Sequence, residues 1–187
     1  MKDIFHKPIE STATPNTLIE DAVTTVKRPQ GNSKNHVARE PAANITREQL
    51  IEFLNEDLAG EYQAIIAYTV YSQMLKGAAY TDIARELELH AVEELQHAIK
   101  IAKQIDYLGD RPGVTPKPVK TCCDAVGMLC ADLENEREAI KRYRERIRQA
   151  GAMGEFALSE TLRGIIVQEQ EHEIDLSSAI GINVPEL

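Results

Sequence analysis

The chain has 187 residues, 43% of them hydrophobic and 27% charged, with 21 basic against 30 acidic side chains and a formal charge of −9. This is ordinary globular composition and excludes disorder over the whole length. The acidity argues against a nucleic-acid or anionic-membrane partner, no apolar run approaches the ~18 residues of a membrane span, and 5% aromatics without tryptophan argue against a sandwich or barrel.

The opening Met1-Lys2-Asp3-Ile4-Phe5-His6 lacks the apolar stretch of a secretory leader. Three cysteines, of which Cys122 and Cys123 are adjacent, do not make a disulfide framework. The expectation is a cytoplasmic protein. Residues 1–44 hold four of the eight prolines (Pro8, Pro15, Pro29, Pro41), six basic and five acidic residues, and no sustained apolar period. They read as a flexible or partner-dependent N-terminal arm, its basic residues scattered rather than clustered. Residues 45–187 form the second unit.

Helix signals begin at Thr46-Arg47-Glu48-Gln49, a capping box with Thr46 as N-cap and Gln49 three residues on. The pattern predicts a first helix to about Lys76, stopped by Gly77, and a second from about Tyr80 to Leu108, stopped by Gly109. Residues 109–118 cannot be helical, because Pro112, Pro116 and Pro118 break them. A third helix is expected from near Thr121 to before Gly151, and a fourth from about Met153 to Ala179. Strand signals are absent. Two short connections around one long crossover, between the second and third helices, give an all-α four-helix bundle.

A bundle seam repeats in steps of three and four. It reads Leu54, Leu58, Glu61, Ile65, Tyr68, Ser72, Leu75 on the first helix and Leu129, Leu133, Glu136, Ile140, Tyr143, Ile147, Ala150 on the third. The second gives Ile83, Leu87, His90, Glu94, His97, Ile101, and the fourth Leu158, Leu162, Ile165, Glu169, His172, Leu176. Each apolar stripe is interrupted near its middle by a carboxylate, and two of them add an imidazole three residues later. A buried charge costs several kcal/mol unless it is paired or metal-bound, so the interruptions carry information.

The two halves share one offset. Glu61 and Glu136, Tyr68 and Tyr143, Glu94 and Glu169, and His97 and His172 are each 75 residues apart. Four carboxylates and two imidazoles meeting at mid-bundle bring four negative charges into an apolar interior, which two divalent cations neutralise. Oxygen-rich ligation with one His per metal suits iron, or manganese as the alternative, better than zinc. Glu at i and His at i+3 face the same way on a helix. These six residues are the candidate catalytic and metal-ligating set.

On Glu61, Glu94-x-x-His97, Glu136 and Glu169-x-x-His172, the chain from about Ile45 to Ile180 resembles the ferritin-like superfamily, with a pattern similar to bacterioferritin-type and Dps-like di-iron carboxylate proteins. The resemblance implies two irons per chain, with Glu61 and Glu136 terminal, Glu94 and Glu169 bridging, and His97 and His172 one on each metal. It implies oxidation of Fe2+ by O2 or H2O2 for iron storage, detoxification or protection against oxidative stress. The alternatives are a non-storage di-metal enzyme (a peroxidase, manganese catalase or O2-activating oxidase) and a structural metal-bound bundle. It also implies a homo-oligomer, from a dimer to a 12- or 24-subunit shell. Leu95 stands where bacterioferritins place a haem-binding methionine, which argues against haem. Ala139 stands where rubrerythrin-like sites add a glutamate, and no Cys-x-x-Cys pair is present.

Tyr68 and Tyr143 are hydrogen-bond partners of ligand carboxylates, electron donors during oxidation, or core aromatics. His90, whose counterpart in the other half is Ile165, is a buried histidine, a neighbour of the ligands, or a ligand on the path of incoming iron. Cys122, Cys123 and Cys130 read as structural or free thiols, with the cysteine relay of thioferritins as the other reading. Glu86, Glu93, Glu134, Glu138 and Glu171 read as solvated faces, with iron nucleation as the other reading.

Overall fold

The first helix starts on the expected capping box. In the computed structural model, which describes residues 45–122 and 124–184, the Thr46 hydroxyl accepts from the Gln49 N–H and the Gln49 side chain accepts from the Thr46 N–H. Such a reciprocal cap contributes about 1 kcal/mol. Helix α1 is Arg47–Met74, followed by a 3-10 turn at Ala78–Tyr80, then α2 Thr81–Tyr107, α3 Ala125–Ala152 and α4 Phe156–Ala179. At 24 to 28 residues each helix is roughly 36–42 Å long. The expected arm, residues 1–44, and Cys123 lie outside the described residues.

Several helix ends differ from the sequence expectation for local reasons. Leu75 leaves the helix in an extended conformation and Gly77 follows at φ 108°, so α1 stops short of Lys76. Helix α3 begins at Ala125 rather than Thr121, because Asp124 caps it by accepting from the Gly127 N–H at 2.8 Å. Its start is further fixed by the Tyr71 hydroxyl, which donates to the carbonyl of non-helical Lys120. Helix α4 begins at Phe156 rather than Met153. Gly154 takes φ 80°, and the Glu155 N–H returns to the Ala150 carbonyl at 2.9 Å, closing α3 first.

Side-chain pairs fix the topology. Gln73 bonds Glu88 and His97 lies beside Glu61, so α1 and α2 are antiparallel. Arg137 bonds Glu173 and Ser159 bonds the Ile147 carbonyl, so α3 and α4 are antiparallel. Tyr68 reaches Glu136 while Tyr143 reaches Glu61, so α1 and α3 are antiparallel as well. Helices α2 and α3 therefore run the same way, and residues 108–124 must travel the length of the bundle. They do so along α1. Gly113 N–H donates to Asn55, Lys117 N–H to the Ala59 carbonyl, and Gln63 to the Pro118 carbonyl, at 2.7–2.9 Å. A proline-rich segment without helical bonds of its own is thus satisfied by the helix it crosses.

Every seam residue is buried except Ile65 and Ile147, which are half-buried. The apolar core falls into two clusters. One gathers Leu54, Leu58, Ile101, Tyr143, Leu158 and Ile165, and the other Tyr68, Leu87, Leu129, Leu133 and Leu176. Between them in every helix lies the charged step of the seam. Truncating one of these fully buried leucines to alanine costs about 2–5 kcal/mol. Among the described residues there is no strand, and no helix is long and apolar enough to cross a membrane.

Candidate metal centre

Glu61, Glu94, His97, Glu136, Glu169 and His172 come from four different helices and meet in the layer between the two apolar clusters, each 2% exposed or less. The i, i+3 spacing sets Glu94 and His97 on one face of α2, and Glu169 and His172 on one face of α4. The imidazoles divide the carboxylates between them. His97 Nδ1 lies 3.1 Å from Glu94, 3.3 Å from Glu169 and 3.4 Å from Glu61. His172 Nδ1 lies 2.9 Å from Glu94, 3.6 Å from Glu169 and 3.9 Å from Glu136.

The sharing is atom by atom. Glu94 turns Oε2 to His97 and Oε1 to His172, and Glu169 turns Oε1 to His97 and Oε2 to His172. Glu61 meets only His97, and Glu136 only His172. Two four-residue clusters result, Glu61–Glu94–His97–Glu169 and Glu94–Glu136–Glu169–His172, each with donor atoms within 4.8 Å of one another.

Whether this set fits metal ions is decided by its hydrogen bonds. Glu61 Oε2, Glu94 Oε1, both Glu169 oxygens and His172 Nδ1 are buried without a hydrogen-bond partner. Glu94 Oε1 and His172 Nδ1 approach to 2.9 Å and still form no aligned bond. Leaving that many buried polar atoms unmatched costs about 1–3 kcal/mol each. Donors that converge on a shared point instead of on one another fit two divalent cations with oxygen-rich coordination.

Proton affinities agree. Burial, with Glu61 and Glu136 nearby, pushes the Glu94 carboxyl up to about 8. Burial and the Glu169 charge hold Glu136 well above the carboxylate range. Burial works to lower both imidazoles, but the facing carboxylates of Glu169 and Glu94 push His172 up to about 11, and those of Glu169, Glu61 and Glu94 hold His97 well above its usual value. Burial also works to raise Glu61, yet the neighbouring His97 and Glu94 and the Tyr143 hydroxyl bring it below the ordinary value. Without metal, protons stand in for the missing positive charge.

The surroundings orient these groups. The Tyr143 hydroxyl donates to Glu61 and the Tyr68 hydroxyl to Glu136, each across the α1–α3 interface. Burial and those same carboxylates raise both phenols well above their usual value, so they remain donors. His97 Nε2 meets the Gln168 side-chain oxygen at 3.0 Å, and His172 Nε2 meets Glu93 at 2.8 Å. Gln168 also donates to Glu93 at 3.3 Å, which turns its oxygen toward His97. His97 Nε2 is then the donor, and Nδ1 is left to face the carboxylates.

Glu93 is a correction to the sequence reading. It is half-buried and pairs with His172, where a solvated face was expected. Gln168 went unnoticed, although it stands 75 residues after Glu93 and the offset could have found it. Asp57 was missed too. It is fully buried and takes bonds from Arg146 at 2.9 Å and Arg142 at 3.1 Å. His90 is buried, with Nε2 3.3 Å from Asp175, and burial plus the neighbouring His172 lower it to about 4. Cys122 is half-buried and Cys130 exposed.

A cavity of about 30 Å3 opens onto Glu61, Glu94, Glu136 and Glu169 from the α1–α3 side, where Lys117 and Arg142 line it together with Glu138.

Residues 51–182 match the family model described as a ferritin-like domain. A solved structure described as ferritin-like, diiron-carboxylate proteins, from Bacillus anthracis, superposes with a TM-score of 0.69 at 35% identity, covering 72% of this chain and 96% of that one. The dodecameric thioferritin of Bacteroides fragilis, a bacterioferritin-related protein, gives 0.68 at 31% identity, with 73% and 87% covered. The bacterioferritin of Brucella melitensis is 26% identical over 140 residues, 71% of this chain and 87% of its own length.

Proposed function

The chain belongs to the ferritin-like family, and from that premise we propose that it takes up Fe2+ in pairs and oxidises it at the six-residue cluster, for storage or detoxification. The observation that carries this reading is the division of Glu94 and Glu169, each offering one oxygen toward each imidazole. Glu61 with His97 would hold one iron, Glu136 with His172 the other, and Glu94 with Glu169 both. Iron supplies the electrons: two Fe2+ lose one each, and one H2O2 accepts both with two protons to leave two waters. The chain's own part is to bind and orient. Tyr143 and Tyr68 hold the terminal carboxylates, Gln168 and Glu93 set the imidazole tautomers, and the two apolar clusters keep the layer dry.

The size of the cavity favours a small oxidant. About 30 Å3 has room for roughly two waters, which suits O2 or H2O2. Iron is favoured over manganese only by the family. Leu95 offers no sulfur to a haem.

A homo-oligomer is part of the proposal. Ile66, Val70 and Met74 on α1 and Leu89, Val92, Leu95 and Ile99 on α2 are all at least 40% exposed. The antiparallel pairing that puts Gln73 on Glu88 brings these rows to similar heights, an apolar surface suited to a second copy. The setting proposed is the cytoplasm.

The test is an aerobic Fe2+ titration of the metal-free full chain, following ferric absorbance, with a parallel H2O2 series under nitrogen. Oxidation far beyond two irons per chain with the iron still soluble supports storage. Saturation at two points to the non-storage di-metal enzyme. No protein-dependent oxidation refutes the reading.

A further inference from the structure

We propose that Lys117 and Arg142 form a peroxide-recognising pair at the mouth of the cavity over the cluster, and that they favour H2O2 over O2 as the oxidant. This rests on the Fe2+-oxidation reading and names its second substrate. The cavity follows the internal duplication closely. All its lining residues but two fall into pairs 75 apart, among them Gly60 with Asn135, Gln63 with Glu138 and Ala64 with Ala139. The two exceptions are the cations. Lys117 belongs to the crossover, outside the four repeated helices, and the counterpart of Arg142 is Ala67. Both positive charges are therefore additions to the repeat.

Each cation is held there by its own device. The crossover is fastened to α1 at Lys117, whose N–H donates to the Ala59 carbonyl, while Gln63 donates to the Pro118 carbonyl, both at 2.9 Å. Arg142 Nε is tied to the fully buried Asp57 at 3.1 Å. Its terminal nitrogen Nη2 reaches over α1, where Gly60 makes the room. A Cβ on Gly60 would lie 3.0 Å from Arg142 Nη2 and 3.7 Å from Lys117 Nζ, so the two donors converge above one point of the helix. Among the described residues the Lys117 ammonium forms no ion pair. Burial, with the Arg142 charge beside it, lowers its proton affinity below the usual lysine value.

The lining matches peroxide on both sides. Lysine and arginine head groups offer N–H donors and no acceptor, whereas carboxylates only accept. H2O2 accepts at both oxygens and carries two O–H donors, so it can bridge the cations at the mouth and the carboxylates beneath them. O2 has no hydrogen to donate and is a feeble acceptor. A site built to hydrogen-bond a hydroxyl disfavours an analogue without one, because its own polar groups are then left unmatched. The space of about 30 Å3, roughly two waters, suits a molecule of two oxygens. In the reaction the O–O bond breaks, two Fe2+ supply one electron each, and two protons from solvent complete two waters. Lys117 and Arg142 are not consumed, and they offset the negative charge that develops on the parting oxygens.

The experiment compares the two oxidants by stopped flow on the Fe2+-loaded full chain, with Co2+ stoichiometry and circular dichroism as controls for an intact cluster and fold. The wild type is expected to react faster with H2O2 than with O2 at equal concentration. Lys117→Met should raise the H2O2 concentration needed for half-maximal rate by about tenfold, shift the O2 value far less, and leave the maximal rate nearly as it was. Lys117→Arg, which keeps the charge and the donors, should restore the wild-type value. Gly60→Ala improves helix propensity but places its Cβ against Arg142, and it should weaken peroxide use as Lys117→Met does. An unchanged H2O2 value in Lys117→Met, or an equal loss with both oxidants, overturns the peroxide site and leaves the Fe2+-oxidation reading standing. A wild type that reacts faster with O2 also overturns it. A wild type that oxidises Fe2+ with neither oxidant sinks the oxidation reading itself, and the peroxide site with it.

Discussion

The Tyr68 hydroxyl on α1 donates to Glu136 on α3, and the 75-residue offset repeats the bond in reverse as Tyr143 to Glu61. Each tyrosine therefore holds the carboxylate belonging to the other half. A hydrogen bond to a charged acceptor contributes about 1.5–3 kcal/mol, and a carboxylate that has lost it samples more orientations. Tyr68→Phe is expected to weaken Co2+ binding at the Glu136–His172 side by about tenfold with the helices intact. Tyr143→Phe should do the same at the Glu61–His97 side. Isothermal titration checks both, and unchanged affinity in either variant would show that the phenols only fill space.

The two carboxylates shared by the imidazoles admit a harsher test. Glu94→Ala with Glu169→Ala removes the two side chains that both imidazoles share. The helices should persist in circular dichroism, since the apolar clusters on either side are untouched, while two-metal binding is lost. Retention of two tightly bound irons by that double variant contradicts the ligand assignment.

Much of this was legible in the sequence. The seam period placed Glu61, Glu94, Glu136 and Glu169 inward, and the offset joined them to His97 and His172. What remained hidden depends on cross-helix geometry. No spacing rule shows that Glu93 turns inward to His172 while Glu86, two turns earlier, is exposed. Asp57 lies off the seam on α1, and its burial becomes visible only when Arg142 and Arg146 arrive from α3, 85 and 89 residues away. Helix ends moved because Asp124 caps more strongly than the apolar period extends, and because Gly154 adopts a left-handed turn.

Metal uptake should release protons. Glu94 is raised to about 8 and Glu136 well above its ordinary value, while His172 is raised to about 11. At pH 7 Glu94 and His172 hold protons that a divalent ion must displace. Addition of Co2+ to the metal-free chain in weak buffer is expected to acidify it by about two to four protons per pair of ions. Apparent affinity should rise steeply with pH between 6 and 8. A pH-independent affinity contradicts protonation of the cluster.

Residues 1–44 lie outside the described structure, and their proposed role as a partner-dependent arm is open to a direct experiment. Deleting them leaves the capping box at Thr46 and the whole matched domain, residues 51–182, in place. The shortened chain should fold and keep its metal stoichiometry. A smaller particle by light scattering assigns the arm to assembly, and an unchanged particle removes it from that role.

The offset also pairs Asp57 with Asp132, and their environments differ. Asp57 has Arg142 and Arg146 beside it, whereas the residues matching those arginines in the other half are Ala67 and Tyr71. Asp132 is 2% exposed, and its Oδ2 has no hydrogen-bond partner. Burial, with the Glu136 charge added, raises it to about 8. The folded chain holds this proton more tightly than the unfolded chain, so its contribution is complete below about pH 4 and is lost as pH rises through about 8. The slope in that window is at most about 1.4 kcal/mol per pH unit, or roughly 3–5 °C in Tm for a domain of this size. Asp132→Asn removes one such proton, so metal-free Asp132→Asn should gain on metal-free wild type as pH increases from 5 to 8. Parallel Tm curves across that range would mean that burial does not raise the Asp132 carboxyl in the fold.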